Sequence, residues 1–343
     1  MPQRLQALQQ WLDGPLALRD YALTPASGDA SFRRYFRLSW PDRQSRIAMD
    51  APPAQENCAP FVAIAKTLQQ IGIRTPTIYA ADLPQGFLLL EDLGATLYLD
   101  QLTSENADRL YGDALGALMT MQACAPHQQL PPYDRALLLQ EMGLFRDWLV
   151  ERLLQIRLPP SEQQQLAKSF ELLIDNARAQ PQCFVHRDYH ARNLMVTGGH
   201  NPGVLDFQDA VSGPVTYDLV SLLRDCYIRW PRQQVEKWAM GYYQLALHSG
   251  LLRQEHEADF LRWFDLMGVQ RHLKASGIFA RLHLRDNKPD YLKDIPRTLG
   301  YIQEISAIYP PLHPLAAITE QVAARLDALG GGSWAEERKR VNE

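Results

Sequence analysis

The chain has 343 residues, 46% of them hydrophobic and 22% charged, with a formal net charge of −4, enough apolar material for one large core or two packed units. That balance has no basic excess, so nucleic acid is not an expected partner. The cysteines (Cys58, Cys124, Cys183, Cys226) form no C-x-x-C pair, no apolar run approaches a membrane span, and Met1 to Gly14 lacks the apolar core of a secretory signal. A cytoplasmic protein without zinc or disulfide framework is expected.

In chain order, Leu5, Leu8, Trp11 and Leu12 recur at helical spacing, and Gly14-Pro15 ends that helix. Tyr21 to Leu23 and Tyr35 to Leu38 read as strands around the small polar loop Ser27-Gly28-Asp29-Ala30-Ser31. Such a loop lets backbone N–H groups approach phosphate oxygens, although an ordinary hairpin has the same composition. Arg46 to Met49 reads as a third strand, Ala59 to Ile71 as a helix stopped by Gly72, and Ile78 to Ala80 and Phe87 to Leu90 as two more strands. The first domain, residues 1–92, is therefore a helix-bearing, five-stranded antiparallel sheet.

After the linker Glu91-Asp92-Leu93 the pattern turns helical, giving a second domain over 93–330 and a polar tail over 331–343. Helices are predicted over Ser104 to Cys124 with Ser104 as N-cap, and over Arg135 to Ile156, broken by Pro159-Pro160. Others follow over Ser161 to Ala179, Gln254 to His283, Leu299 to Tyr309 and Leu315 to Leu329.

The chemistry lies in two short stretches. Val185-His186-Arg187-Asp188-Tyr189-His190-Ala191-Arg192-Asn193 has the form H-R-D, four residues, Asn. Gly203 to Asp209 is an apolar strand that ends in the acidic turn Asp206-Phe207-Gln208-Asp209. Phosphoryl transfer needs an Asp that takes the proton of the attacking hydroxyl, and an amide plus a second Asp to hold magnesium on the ATP phosphates. Asp188, Asn193 and Asp206 supply that set, and Mg²⁺ favours such oxygen ligands. H-R-D alone also describes a polar loop with a helix-capping Asp; the coupled strand ending in Asp-Phe separates the two readings.

These motifs resemble those of the aminoglycoside phosphotransferase family. So do Gly28 to Tyr35, Met49 to Pro53, Leu223 to Tyr227 and Gln270 to Lys274. The resemblance implies an α+β, two-lobed protein-kinase-like fold with a small antiparallel β N-lobe and a mostly helical C-lobe. It implies ATP and Mg²⁺ as cofactors, Ser27 to Ser31 covering the phosphates, Glu91 and Leu93 seating adenine, and Asp218 opening a helix that steadies the catalytic loop. The implied acceptor is a small amino sugar, phosphorylated at the anomeric hydroxyl of N-acetylmuramate or N-acetylglucosamine. Another small alcohol, such as an aminoglycoside, choline or homoserine, is the near alternative.

The chain departs from the kinase pattern at one place. Asp50 falls where a strand Lys would contact the α- and β-phosphates, so either the charge comes from Arg33, Arg34 or Arg46, with Arg34 or Arg46 the expected substitute, or ATP is held mainly by magnesium and backbone. The same departure motivates a rival reading, an ATP-binding scaffold without turnover. Only seven residues separate Asp206 from Pro214, and no A-P-E motif follows, which favours a small acceptor over a peptide. Candidates for contacting that acceptor are His190, Asp209, Arg224, Asp225 and Tyr227, with Arg224 and Asp225 placed two turns into the helix after Asp218. Arg271, Lys274, Arg281 and Arg285 share a helical stripe that is either a solvated face or a source of positive potential for an anionic acceptor.

Overall fold

A computed structural model describes residues 2–27 and 32–329. It divides into two compact units: residues 1–98 with 193–209, and residues 99–192 with 210–343. A single boundary at 92/93 was expected. The first unit instead recovers 193–209, because that segment forms the strands β7 (Leu194–Met195) and β8 (Gly203–Val204) and bridges from them to Leu97 and Arg74.

In the first unit, helix α1 (Pro2–Asp13) is followed by β1 (Ala22–Ser27), β2 (Arg34–Ser39) and β3 (Ser45–Asp50). Helix α2 (Ala59–Gln70), β4 (Ile78–Asp82) and β5 (Phe87–Glu91) complete it. The five strands form one sheet in the order β1-β2-β3-β5-β4, every pairing antiparallel. Leu8, Trp11 and Leu12 of α1 pack with Leu38, Ala48, Phe87 and Leu89. Since alternate strand residues share a face, Arg34, Arg46 and Asp50 lie on the α1 side as well.

The second unit is mostly helical. It runs through α3 (Tyr98–Gln101), α4 (Ala107–Cys124), α5 (Arg135–Leu144), α6 (Pro160–Ala179), α7 (Tyr217–Leu223), α8 (Arg232–His248), α9 (Glu257–Asp286), α10 (Ile295–Ile308) and α11 (His313–Leu329). Helix α4 begins at Ala107, not at Ser104, because the Asn106 side chain accepts the Thr103 N–H and closes a separate turn first. Helix α7 ends at Leu223, so Arg224 and Asp225 follow it rather than lying within it. Helix α8 is absent from the predicted elements, although Val235, Trp238, Ala239, Tyr242, Tyr243 and Ala246 are buried at helical spacing.

The long helix predicted from Arg135 changes character. At Phe145 it widens into a π-helical segment, Phe145–Leu153. There α9 meets the chain at Gly277, where an added Cβ would lie 2.2 Å from the Leu144 carbonyl carbon and 2.5 Å from the Phe145 nitrogen. Only glycine permits that approach. Strands β6 (Gln182–Val185) and β9 (Val211–Pro214) pair antiparallel and carry the start of the H-R-D loop.

Candidate active site

The catalytic loop is tied down at both ends by buried carboxylates. Asp218 accepts the His186 and Arg187 N–H groups at 2.6 and 3.0 Å. Asp225 accepts the N–H groups of Ala191 and Tyr227 at 2.9 and 3.1 Å. Tyr189 adds a bond from its hydroxyl to the Ala114 carbonyl at 2.8 Å. Arg187 sits at φ 77°, a left-handed conformation that costs a non-glycine residue roughly 1–3 kcal/mol and persists only where its surroundings enforce it. Here Asp218 holds its backbone and Glu141 its guanidinium.

Asp188 stands half-buried in a field of cations. Burial alone would push its carboxyl up, but Lys274, His190, Arg271 and Arg187 outweigh it and hold the group below the usual carboxylate range. Lys274 is 8% exposed, with its ammonium 3.1 Å from Glu141 and 3.0 Å from the Tyr217 hydroxyl. Glu141 also takes Arg187, the Tyr133 hydroxyl and Gln270. Burial opposes charge on both members; their attraction prevails, keeping Glu141 low and Lys274 high. Asp218 behaves differently: burial pushes it up to about 7, against its two backbone hydrogen bonds.

Asn193 and Asp206 are brought together in the first unit. The Asn193 Nδ2 lies 3.4 Å from Asp206 Oδ2, and the Leu205 N–H donates to the Asn193 carbonyl at 2.9 Å. Asp206 adopts φ 62°, and Gln208 donates to its Oδ1 at 2.7 Å. One amide oxygen and one carboxylate are the hard-oxygen donor set that magnesium shares with phosphates and water. Among the described residues no group of three or more His, Cys, Asp or Glu could enclose a metal.

The expected nucleotide residues have mixed fates. Gly28, Asp29, Ala30 and Ser31 lie outside the described residues, and Ser27 ends β1. Asp50 is fully buried and accepts both Arg34, across the strand pair, and Arg4 from α1, each Nε at 3.1 Å. Arg34 is thus occupied by an internal ion pair. Arg46 lies against the rings of Tyr79 and Trp40, 4.5 and 5.9 Å from their centroids. Arg33 pairs with Glu56 at 2.8 Å. Glu91 is held by Arg74 and Thr77, its N–H donating to the Thr77 carbonyl at 2.8 Å. The Leu93 side chain rests where a Cβ at Gly203 would come within 2.8 Å of it.

On the acceptor side, Arg224 is 2% exposed and bonds Asp265 at 2.6 Å, an internal pair. Asp225 spends both oxygens on backbone, as above. Asp209 is exposed, meets Gln208 at 3.4 Å, and belongs to the first unit. His190 and Tyr227 do meet, ring centroids 5.5 Å apart; burial shifts the His190 imidazole below its ordinary pKa, opposed by Asp225 and aided by Arg271. The basic stripe splits: Arg271 and Lys274 are buried, while Arg285 is exposed beside Asp286 at 2.8 Å. Sequence reasoning missed Glu141 and Arg192, the second stacked 3.6 Å over Tyr227.

A carboxylate in a cationic field, on a loop that continues into an amide–carboxylate pair, is the equipment of a kinase-like phosphotransferase. Solved structures share the fold. A choline kinase from Streptococcus pneumoniae matches at TM-score 0.63 over 88% of this chain and 99% of its own, at 12% identity. An ADP-bound aminoglycoside phosphotransferase matches at 0.58 over 87% and 98%, at 14% identity. Residues 22–264 match the phosphotransferase enzyme family, and the chain belongs to it. It is similar over most of its length to proteins named N-acetylmuramate/N-acetylglucosamine kinase. The one from Pseudomonas putida is 48% identical over 94% of this chain and 97% of its own; that from Neisseria meningitidis is 42% identical over 92% and 95%. The chain is therefore a phosphotransferase, and the scaffold reading of its missing strand Lys falls. Among the described residues no helix is long and apolar enough to cross a membrane.

Proposed function

We propose that the protein transfers the γ-phosphoryl group of Mg·ATP to the anomeric hydroxyl of N-acetylmuramate or N-acetylglucosamine, in the cytoplasm. The observation that carries this reading is the likeness to kinases named for those two sugars, 42–48% identical over more than nine-tenths of both chains. Asn193 and Asp206 would hold the magnesium, which would supply positive charge to offset that of the transferring phosphates.

Asp188 receives the acceptor hydroxyl. Because its carboxyl is held low, it is a weak base in the ground state. It orients the oxygen first and takes the proton only as the new P–O bond forms, which suits a loose phosphoryl-transfer transition state. Asp225 and Asp218 keep the loop in shape without touching substrate, so catalysis comes mainly from positioning and charge. The Leu93 main chain, with no backbone hydrogen bond among the described residues, and Ser27 to Ser31 serve the nucleotide.

Assay of the purified protein with ATP, magnesium and a panel of small alcohols tests the reading. Sugar 1-phosphate should accumulate from at least one of the two amino sugars. Turnover of choline, homoserine or an aminoglycoside with neither amino sugar consumed overturns it.

A further inference from the structure

Among the described residues no carboxylate lies within 4 Å of the guanidinium of Arg192, in the catalytic loop itself, which rests on an aromatic ring, or of Arg271, on α9, which donates to a thiol. By contrast the buried Arg224 pairs with Asp265, and the half-buried Arg187 with Glu141. Arg192 and Arg271 rest on adjacent residues: Arg192 stacks on the Tyr227 ring at 3.6 Å, and Arg271 donates to the Cys226 thiol at 3.3 Å. Both bear on His190, whose own ring meets Tyr227.

Asp294 feels the charge of Arg192 but is held by Arg297 at 3.0 Å. Tyr291 lies 5.8 Å from the guanidinium, and Arg192 remains partly exposed. A guanidinium lying flat on an aromatic face keeps its edge N–H donors for an anion and is already ordered to receive one. Arg271, 5% exposed, adds positive potential on the same wall.

The two sugars of the proposed function differ by one group: N-acetylmuramate carries a lactyl ether with a carboxylate, and N-acetylglucosamine does not. We infer that Arg192, stacked on Tyr227, binds that carboxylate and sets the preference between the two acceptors, with Arg271 reinforcing it. This inference rests on the amino-sugar reading above.

The test is the ratio of kcat/KM for N-acetylmuramate to that for N-acetylglucosamine, measured for the full chain, for Arg192→Met and for Arg192→Lys. Methionine keeps an apolar stem over Tyr227 and removes the charge. The ratio should fall about ten- to hundredfold in Arg192→Met, the size of one lost charge-assisted contact, mainly through a higher KM for N-acetylmuramate. Arg192→Lys should recover part of it. Equal losses on both sugars, or an unchanged ratio, overturn the inference while leaving the function standing. A wild-type protein that turns over neither sugar overturns both.

Discussion

Asp188 and Asp206, the two aspartates proposed above to serve one reaction, are folded into opposite electrostatic surroundings. Around Asp188 the second unit gathers Lys274, Arg271 and Arg187, and burial of Lys274 and Arg187 is tolerated because Glu141 pairs with both. Around Asp206 the first unit places neutral amides, Asn193 at 3.4 Å and Gln208 at 2.7 Å. On the proposed function, the first surroundings would keep a carboxylate charged beside a neutral alcohol, and the second would leave a carboxylate with negative charge to share with a cation. Residue type alone does not decide the task; the neighbours do.

The cationic side breaks most readily at Glu141. Glu141→Ala strands Lys274 and Arg187 in a buried site, and removing one partner of such a network typically costs about 3–5 kcal/mol. Urea denaturation should show a loss of that order, with turnover lowered in the folded fraction because Arg187 loses its anchor. A stability within about 0.5 kcal/mol of wild type would mean that Glu141 does not hold the network.

A smaller effect sharpens the same contrast through pH. His272 is stacked on Tyr301 with centroids 4.6 Å apart and donates from Nε2 to the Arg224 carbonyl at 2.9 Å. Burial first, and Arg271 second, push it down to about 3 from an ordinary value near 6.5. The folded state therefore refuses a proton that the unfolded state accepts. Stability is fully present above about pH 6.5 and declines as pH falls toward 3, by about 2 kcal/mol between pH 6.5 and 5 from this group. The urea midpoint of wild type should drop over that interval, and that of His272→Gln should drop less. Parallel pH profiles would remove His272 as the cause.

Much of this was readable from the sequence, for reasons that can be stated. Asp188, Asn193 and Asp206 are set by short spacings along one loop and one hairpin, so local pattern suffices. The sheet followed from alternation, and β5 from an unbroken apolar run. What was hidden depends on partners distant in sequence. Asp50 meets Arg4 across 46 residues, and Lys274 meets Glu141, which nothing in the helical pattern of either marks as paired. A basic stripe on a helix looks alike whether solvated or buried, so Arg271 and Arg285 could not be told apart. Arg192 was passed over because it carries no motif; only the fold lays it on Tyr227.

The division of labour between the two aspartates is tested most directly by turnover as a function of magnesium concentration in wild type, Asp206→Asn and Asp188→Asn. Asp206→Asn should raise the half-saturating magnesium concentration at least about tenfold. Asp188→Asn should lower kcat by about a hundredfold or more while leaving that concentration where wild type has it. Identical magnesium dependence in wild type and Asp206→Asn would contradict the assignment of the cation to Asn193 and Asp206.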